Sequence, residues 1–396
     1  MIIGIDASRA FVKHPTGTEN YSYRVITHLL ALPEAKIHFF VLFIRPNAKL
    51  PSEVVGYPNV LIKEIKYRYL WTQVGLAMFT WRKYQIPSTN NQIQNPKQGL
   101  DVLWVMAHTL PILCNPKIKT VVTIHGLEYR WLREYSNRLQ RWYLPLSTYY
   151  VAKQADKLIC VSEATKRDLM NEVYFDAEKI SVIYEGVEKN EQMYKRTKAQ
   201  YGLKSKKYIL FVGSVQPRKN LVALVEAFSQ LRLQLRGDTS QIKLVIAGGI
   251  GWMAEEILRA PGRCGIQERV VFTGRVTEED LRELYLGALV YVQPSITEGF
   301  GLPVLEAMAY GVPVITSDGG ALSEVVGQAG VVVPLQNPNS KIETGFVDRL
   351  AGAMERVVKD KKLRNKLITM GLKRANELSW AKTAKASLEV LVGERL

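Results

Sequence analysis

Cysteine is scarce in this chain. Cys114, Cys160 and Cys264 are the only three in 396 residues. Odd in number and widely separated, they make neither a disulfide framework nor a zinc-ligand spacing, and they point to a reducing cytosol. Long hydrophobic runs are missing too: none reaches the roughly 18 residues of a membrane-spanning helix. The opening Met1-Ile-Ile-Gly-Ile-Asp6 lacks the basic n-region and cleavage site of a signal peptide and reads as the first strand of a domain. No solenoid repeat or extended low-complexity tract occurs, and Pro87–Gln98, rich in Asn, Gln and Pro, reads as one loop. The first glycine turn, Pro15-Thr16-Gly17-Thr18, matches neither G-x-G-x-x-G nor G-x-x-x-x-G-K-[ST], which disfavours a nicotinamide enzyme or a P-loop ATPase.

What remains is an ordinary globular composition, 47% hydrophobic and 23% charged, long enough for two domains. The formal charge of +16 is uneven, with residues 1–150 holding 18 Lys and Arg against 8 Asp and Glu. Such an excess attracts phosphorylated substrates, anionic lipid or nucleic acid, or serves solubility alone.

Short β-branched runs alternate with amphipathic stretches. Candidate strands are Ile2–Ile5, Ile37–Ile44, Val102–Met106, Thr120–Ile124, Lys157–Val161 and Ile180–Ile183, then Tyr208–Val212, Lys243–Ala247, Val270–Thr273, Val290–Gln293, Val314–Thr316 and Gly330–Val333. Unbroken apolar strands between helices such as Glu19–Leu32 and Ala164–Val173 predict parallel sheets, hence a doubly wound α/β architecture in both halves. The expected layout is a domain over 1–187, a lysine-rich linker over 188–207 and a second domain over 208–378, with a ligand cleft between the two.

Two segments carry the chemistry. Gly213-Ser214-Val-Gln-Pro-Arg218-Lys219-Asn220 follows a strand and leads into a helix from Leu221, with Asn220 as the expected N-cap. Gly213 and Ser214 permit close approach of a phosphate, and Arg218 and Lys219 neutralise it where α/β folds bind anions. Eighty residues on, Glu298-Gly299-Phe300-Gly301-Leu302-Pro303-Val-Leu-Glu306 places two carboxylates around a loop and an early helix turn. A carboxylate accepts two hydroxyl hydrogen bonds, the usual grip on a sugar or ribose diol. The alternative is a solvated Arg-Lys turn and a Glu306 that merely favours its helix dipole. The turn Gly319-Gly320 is read either as an anion nest or as a plain strand-to-helix turn. Gly274-Arg275-Val276 is read as presenting main-chain groups to a base. His125, directly after a strand, either hydrogen-bonds a sugar or caps the surface, and Ser162-Glu163 caps a helix. Aromatic and basic residues mingle in Lys66-Tyr-Arg-Tyr-Leu-Trp71, Phe79-Thr-Trp81-Arg82-Lys83-Tyr84, Tyr129-Arg130-Trp131 and Arg141-Trp142-Tyr143. They suit a membrane interface, an acceptor glycan or core packing.

With these residues in view, nearly the whole chain resembles the retaining glycosyltransferases of family 4. The E-x₇-E element matches Glu298 and Glu306, and the phosphate-binding pair matches Arg218 and Lys219. The amino-terminal glycine loop looks like Thr16-Gly17-Thr18, the histidine matches His125, and Leu378-Ser-Trp380-Ala-Lys-Thr383 is similar to the closing region. The resemblance implies a GT-B fold, two Rossmann-like domains facing across a cleft, with residues 379–396 crossing back to the first. It also implies a nucleotide-diphosphate sugar as donor and no prosthetic group. Glu306 would hold the ribose and Glu298 the hexose, with Gly17, Arg218, Lys219 and Gly319-Gly320 around the diphosphate and His125 against the sugar. No D-x-D metal motif stands where one is expected, so no metal is implied. Ile5-Asp6-Ala7 and Thr16-Gly-Thr-Glu-Asn-Tyr21 look most like bacterial mannosyltransferases of polysaccharide assembly. The expectation is therefore hexosyl transfer with retention, mannose from GDP-mannose, with UDP- and ADP-sugars as alternatives. The acceptor would be a lipid-linked oligosaccharide or polysaccharide, and the site of action the cytoplasm or the inner face of the plasma membrane. The competing readings are a non-catalytic glycan- or lipid-binding relative and a basic nucleic-acid-binding protein, for which no motif is present.

Overall fold

A computed structural model describes residues 1–12, 16–67, 69–85, 98–127, 129, 138–173, 176–188, 203, 205–235, 237, 241–336 and 345–393. Pro15, Arg68, Arg130, Trp131, the side chain of Arg141, nearly all of the Pro87–Gln98 loop and most of the 188–207 linker lie outside the described residues. The chain divides into two units, Met1–Gly186 with Trp380–Leu396, and Val187–Ser379.

The first unit is built on the strands β1 (Ile2–Asp6), β2 (Phe39–Ile44), β3 (Val60–Glu64), β4 (Val102–Val105), β5 (Lys119–Ile124), β6 (Lys157–Cys160) and β7 (Ile180–Val182). They pair in parallel in the order β3-β2-β1-β4-β5-β6-β7. Every residue of β1, β2 and β4 is buried, so both faces of the central sheet are covered, which is why these runs are apolar without alternation. The edge strand β3 carries no such signature. Its sequence Val-Leu-Ile-Lys-Glu is half-buried to exposed, and no strand was expected there. The strand expected from Ile37 begins at Phe39, because Pro33 opens a 3₁₀ turn over Pro33–Ile37 that leaves Ile37 outside the sheet.

Helix Gly17–Ala31 starts two residues before the expected Glu19, so Gly17 is its first residue rather than the middle of an open turn. Thr16 is its N-cap, and the Thr16 N–H donates to Glu19 Oε2 at 3.0 Å. Its buried face, Tyr21, Val25, Ile26 and Leu29, packs against helix Trp380–Val392. Thr383 Oγ1 donates to the Tyr184 carbonyl at 2.7 Å, and Lys119 Nζ to the Val390 carbonyl at 3.2 Å. The carboxyl-terminal helix thus completes the first unit although it follows the second in sequence.

The second unit holds β8 (Tyr208–Val212), β9 (Lys243–Ala247), β10 (Val270–Gly274), β11 (Val290–Gln293), β12 (Val314–Ser317) and β13 (Val331–Val333), parallel in the order β10-β9-β8-β11-β12-β13. Helix Leu221–Gln234 buries Leu224, Ala227, Phe228 and Leu231 and packs on helix Phe346–Lys359. In each unit the chain steps outward from its first strand and then returns to that strand's other side. The reversals fall between β1 and β4 and between β8 and β11, and at such switch points the loops at the carboxyl ends diverge and leave room for a ligand.

Candidate active site

The loops that follow β8 and β11 flank the switch point of the second unit and are tied together, the Ile296 N–H donating to the Arg218 carbonyl at 2.9 Å. Pro217–Lys219 forms a 3₁₀ turn that ends at Asn220 in the left-handed region, φ 55° and ψ 38°. Asn220 therefore holds the N-cap place of helix Leu221–Gln234 but makes no side-chain cap bond, a correction to the expected role. Its tolerance of positive φ is what lets the chain turn sharply from Lys219 into the helix.

Arg218, Lys219 and Glu298 meet in one buried cluster. Lys219 Nζ lies 2.5 Å from Glu298 Oε1 and Arg218 Nη1 lies 2.9 Å from Glu298 Oε2. Arg218 Nη1 also donates to the Thr297 carbonyl at 2.7 Å. Gln293 Nε2 and Ser295 Oγ donate to Glu298 Oε1 at 2.9 and 2.7 Å. Burial acts to raise the Glu298 carboxyl pKa, but Lys219 and then Arg218 outweigh it and bring it down to about 2. Two cations around one carboxylate leave the cluster a net positive charge, at the end of the sheet where an anion is best received.

Glu306 lies in the first turns of helix Leu302–Ala309, half-buried, and accepts from the Tyr285 hydroxyl at 2.9 Å. Tyr291 stands in the fields of both acids. Burial first, then Glu298 and Glu306, push its hydroxyl pKa well above the ordinary range, so it keeps its proton and donates a hydrogen bond to Gln293 Oε1. Gln293, Tyr285 and Tyr291 were not singled out in the sequence. Gln293 left one sign, a polar residue closing an apolar strand, which is the same sign that marked His125.

The turn Gly319-Gly320 abuts the loop bearing Glu298. A Cβ on Gly319 would lie 2.4 Å from the Ser295 and Ile296 carbonyl oxygens, and one on Gly320 2.2 Å from the Glu298 carbonyl oxygen. Gly320 also has φ +63°. These glycines let β12's loop press against the acid loop and fix it, with the Ala321 N–H donating to the Glu298 carbonyl at 2.9 Å. Gly320→Ala is expected to cost on the order of 2 kcal/mol in urea unfolding, because strain and overlap add at one backbone position. Gly213 takes φ +151° beside Lys219 and Ser214 is exposed. Of the remaining loop, Gly299 is half-buried, Phe300 and Leu302 are core side chains, and Gly301 has φ +112°. Arg275 is exposed and Val276 half-buried. Arg275 lies over Gly249, where a Cβ would come within 2.9 Å of its Nε.

His125 and Gly17 belong to the first unit. His125 Nε2 lies 3.1 Å from the Met106 carbonyl and Nδ1 3.4 Å from Glu185 Oε1, and the ring meets Tyr21 edge-on at 4.6 Å. Its backbone N–H donates to His108 Nε2 at 2.9 Å. His108, just past β4 at the switch point, was not singled out. Burial, helped by the charges of His125 and Arg9, lowers its pKa to about 3, so it is held neutral with a lone pair toward His125. Among the described residues no group of three or more His, Cys, Asp or Glu is placed to hold a metal ion, and no helix is long and apolar enough to cross a membrane.

Two family models match the chain in succession, Glycosyltransferase Family 4 over residues 15–191 and Glycosyl transferases group 1 over residues 193–374. Together the two domains make up most of the chain, which is a glycosyltransferase. Among its relatives is O-antigen chain mannosyltransferase B of Escherichia coli, 29% identical over 66% of this chain and 67% of the relative. Another is O-antigen chain mannosyltransferase RfbU of Salmonella typhimurium, 26% identical over 83% and 85%. Among solved structures, HepE of Anabaena in complex with UDP-glucose is similar with a TM-score of 0.68 at 15% identity, covering 99% of each chain. That likeness carries the fold, which is GT-B. Glycosyltransferases of this fold take nucleotide-sugars as donors.

Proposed function

We propose that this glycosyltransferase moves mannose from GDP-mannose to a hydroxyl of a lipid-linked oligosaccharide or polysaccharide, with retention at the anomeric carbon, in the cytoplasm at the inner face of the plasma membrane. The observation that carries the donor site is the meeting of Arg218 and Lys219 with Glu298 at the β8/β11 switch point. The mannose assignment is supported by the O-antigen mannosyltransferase relatives.

In this reading Glu298 accepts hydrogen bonds from hexose hydroxyls, and Glu306, steadied by Tyr285, from the ribose diol. Arg218 and Lys219, already held in place by Glu298, neutralise the charge that grows on the diphosphate as the sugar–phosphate bond breaks. The acceptor oxygen bonds to the anomeric carbon on the face the phosphate leaves, and its proton passes to the departing phosphate oxygen. No side-chain nucleophile is needed. The Gly319-Gly320 turn lies beside the diphosphate, and Arg275 and Val276 beside the base.

The test is a thermal-shift panel of GDP-, UDP- and ADP-sugars. GDP-mannose is expected to raise Tm most, since a ligand that binds only the native state stabilises it by mass action. A flat response to every donor would return the chain to the non-catalytic reading, and a preference for a UDP- or ADP-sugar would reassign the base.

A further inference from the structure

The first unit carries an exposed apolar face that none of the chemistry above uses. On helix Arg138–Gln154, Trp142, Leu146 and Tyr149 recur at i, i+4 and i+7 and are 75%, 65% and 54% exposed. Two other segments join them. Trp81 is 60% exposed and its Nε1 donates to the Leu113 carbonyl at 3.0 Å, and the Tyr150 hydroxyl lies 3.4 Å from the Ile112 carbonyl. Ile112 and Leu113 are themselves 64% and 72% exposed. These two bonds bring residues far apart in sequence together on the first unit, where exposed apolar side chains from three segments gather.

The sequence that supplies this face is strongly basic, residues 65–155 holding twelve Lys and Arg against three Asp and Glu. The cations interleave with the rings: exposed Arg82 and Lys83 follow Trp81, Arg82 lies 4.2 Å from the Phe79 ring centroid, and Lys153 lies 5.9 Å from that of Tyr149. We propose that this face docks on an anionic bilayer, with Trp81 and Trp142 at headgroup depth, Ile112, Leu113 and Leu146 in the acyl boundary, and the cations on lipid phosphates. A second copy of the same positive face would be repelled. A nucleic acid would satisfy the cations but not the aliphatic side chains, which neither stack nor pair. The inference rests on the lipid-linked acceptor proposed above and names where the enzyme meets the membrane that holds it.

The test is co-sedimentation of the full chain with phosphatidylcholine vesicles, with and without phosphatidylglycerol. Wild type is expected to sediment with the anionic vesicles in a salt-sensitive way, with blue-shifted tryptophan emission. The double variant Trp142→Ser/Leu146→Ser and the double variant Arg82→Glu/Lys83→Glu are each expected to weaken partitioning about tenfold or more. Both should keep the wild-type melting curve and the donor-induced Tm shift, because all four side chains are exposed and lie outside the donor site. Wild type left in the supernatant, variants that sediment like wild type, or a dimer in light scattering that the Trp142/Leu146 variant dissociates would each overturn the proposal. Vesicle binding without any donor shift would support this surface and overturn the donor assignment instead.

Discussion

Lys219→Met is expected to lower kcat by about 10²- to 10³-fold while the chain remains folded. Lys219 is 8% exposed and its Nζ is the nearer of the two cations to Glu298. A buried cation already in place when charge develops needs no reorganisation at that moment, so its removal falls on the transition state more than on the ground state. Glu298 stays paired, because Arg218 still holds Oε2 while Gln293 and Ser295 still donate to Oε1. KM for the donor should rise less than kcat falls, and steady-state kinetics with the donor that the thermal-shift panel selects separates the two. A folded variant with wild-type kcat would remove Lys219 from the mechanism.

Glu298→Ala is a different experiment, because it acts on stability as well as on turnover. The side chains of Arg218 and Lys219 are each 10% exposed, and Glu298 is the carboxylate they share. Deleting it leaves two poorly solvated like charges without that partner, which costs about 3–5 kcal/mol of stability at neutral pH. The pH dependence identifies the cause. The Glu298 pKa falls from the usual 4.5 to about 2, so the carboxylate's contribution is complete above about 4.5 and is lost as pH falls toward 2. That shift corresponds to about 3 kcal/mol. The gap in unfolding free energy between wild type and Glu298→Gln, measured by urea denaturation, should be widest near neutrality and close across that window. A gap independent of pH would mean that volume or hydrogen bonding, rather than charge, carries the loss.

Most of the architecture was legible because parallel strands buried on both faces must be continuously apolar. Tyr208–Val212, Lys243–Ala247 and Val290–Gln293 have the bounds their sequence suggests. The edge strand Val60–Glu64 was not legible, since it is half-buried and ends in Lys63-Glu64. The acids and cations were visible as residue types at strand ends. Their pairing was not, because Lys219 and Glu298 are 79 positions apart and nothing local records which groups face each other. Gln293 as a donor to Glu298, Tyr285 as the partner of Glu306 and His108 behind His125 were hidden as well, though only 5, 21 and 17 positions separate them, because the side chains meet across different loops and elements.

The order of residues alone determined that this chain alternates strand and helix, that its glycines and prolines punctuate strand ends, and that two acids and two bases stand beside those ends. Tertiary structure alone decided that Glu298 is the shared counter-ion of Arg218 and Lys219, that Gly319 and Gly320 brace the acid loop, and that the last helix completes the first unit. Periodicity follows from the geometry of one segment, whereas a buried charge is compensated only by whatever the folded chain brings within a few ångströms of it.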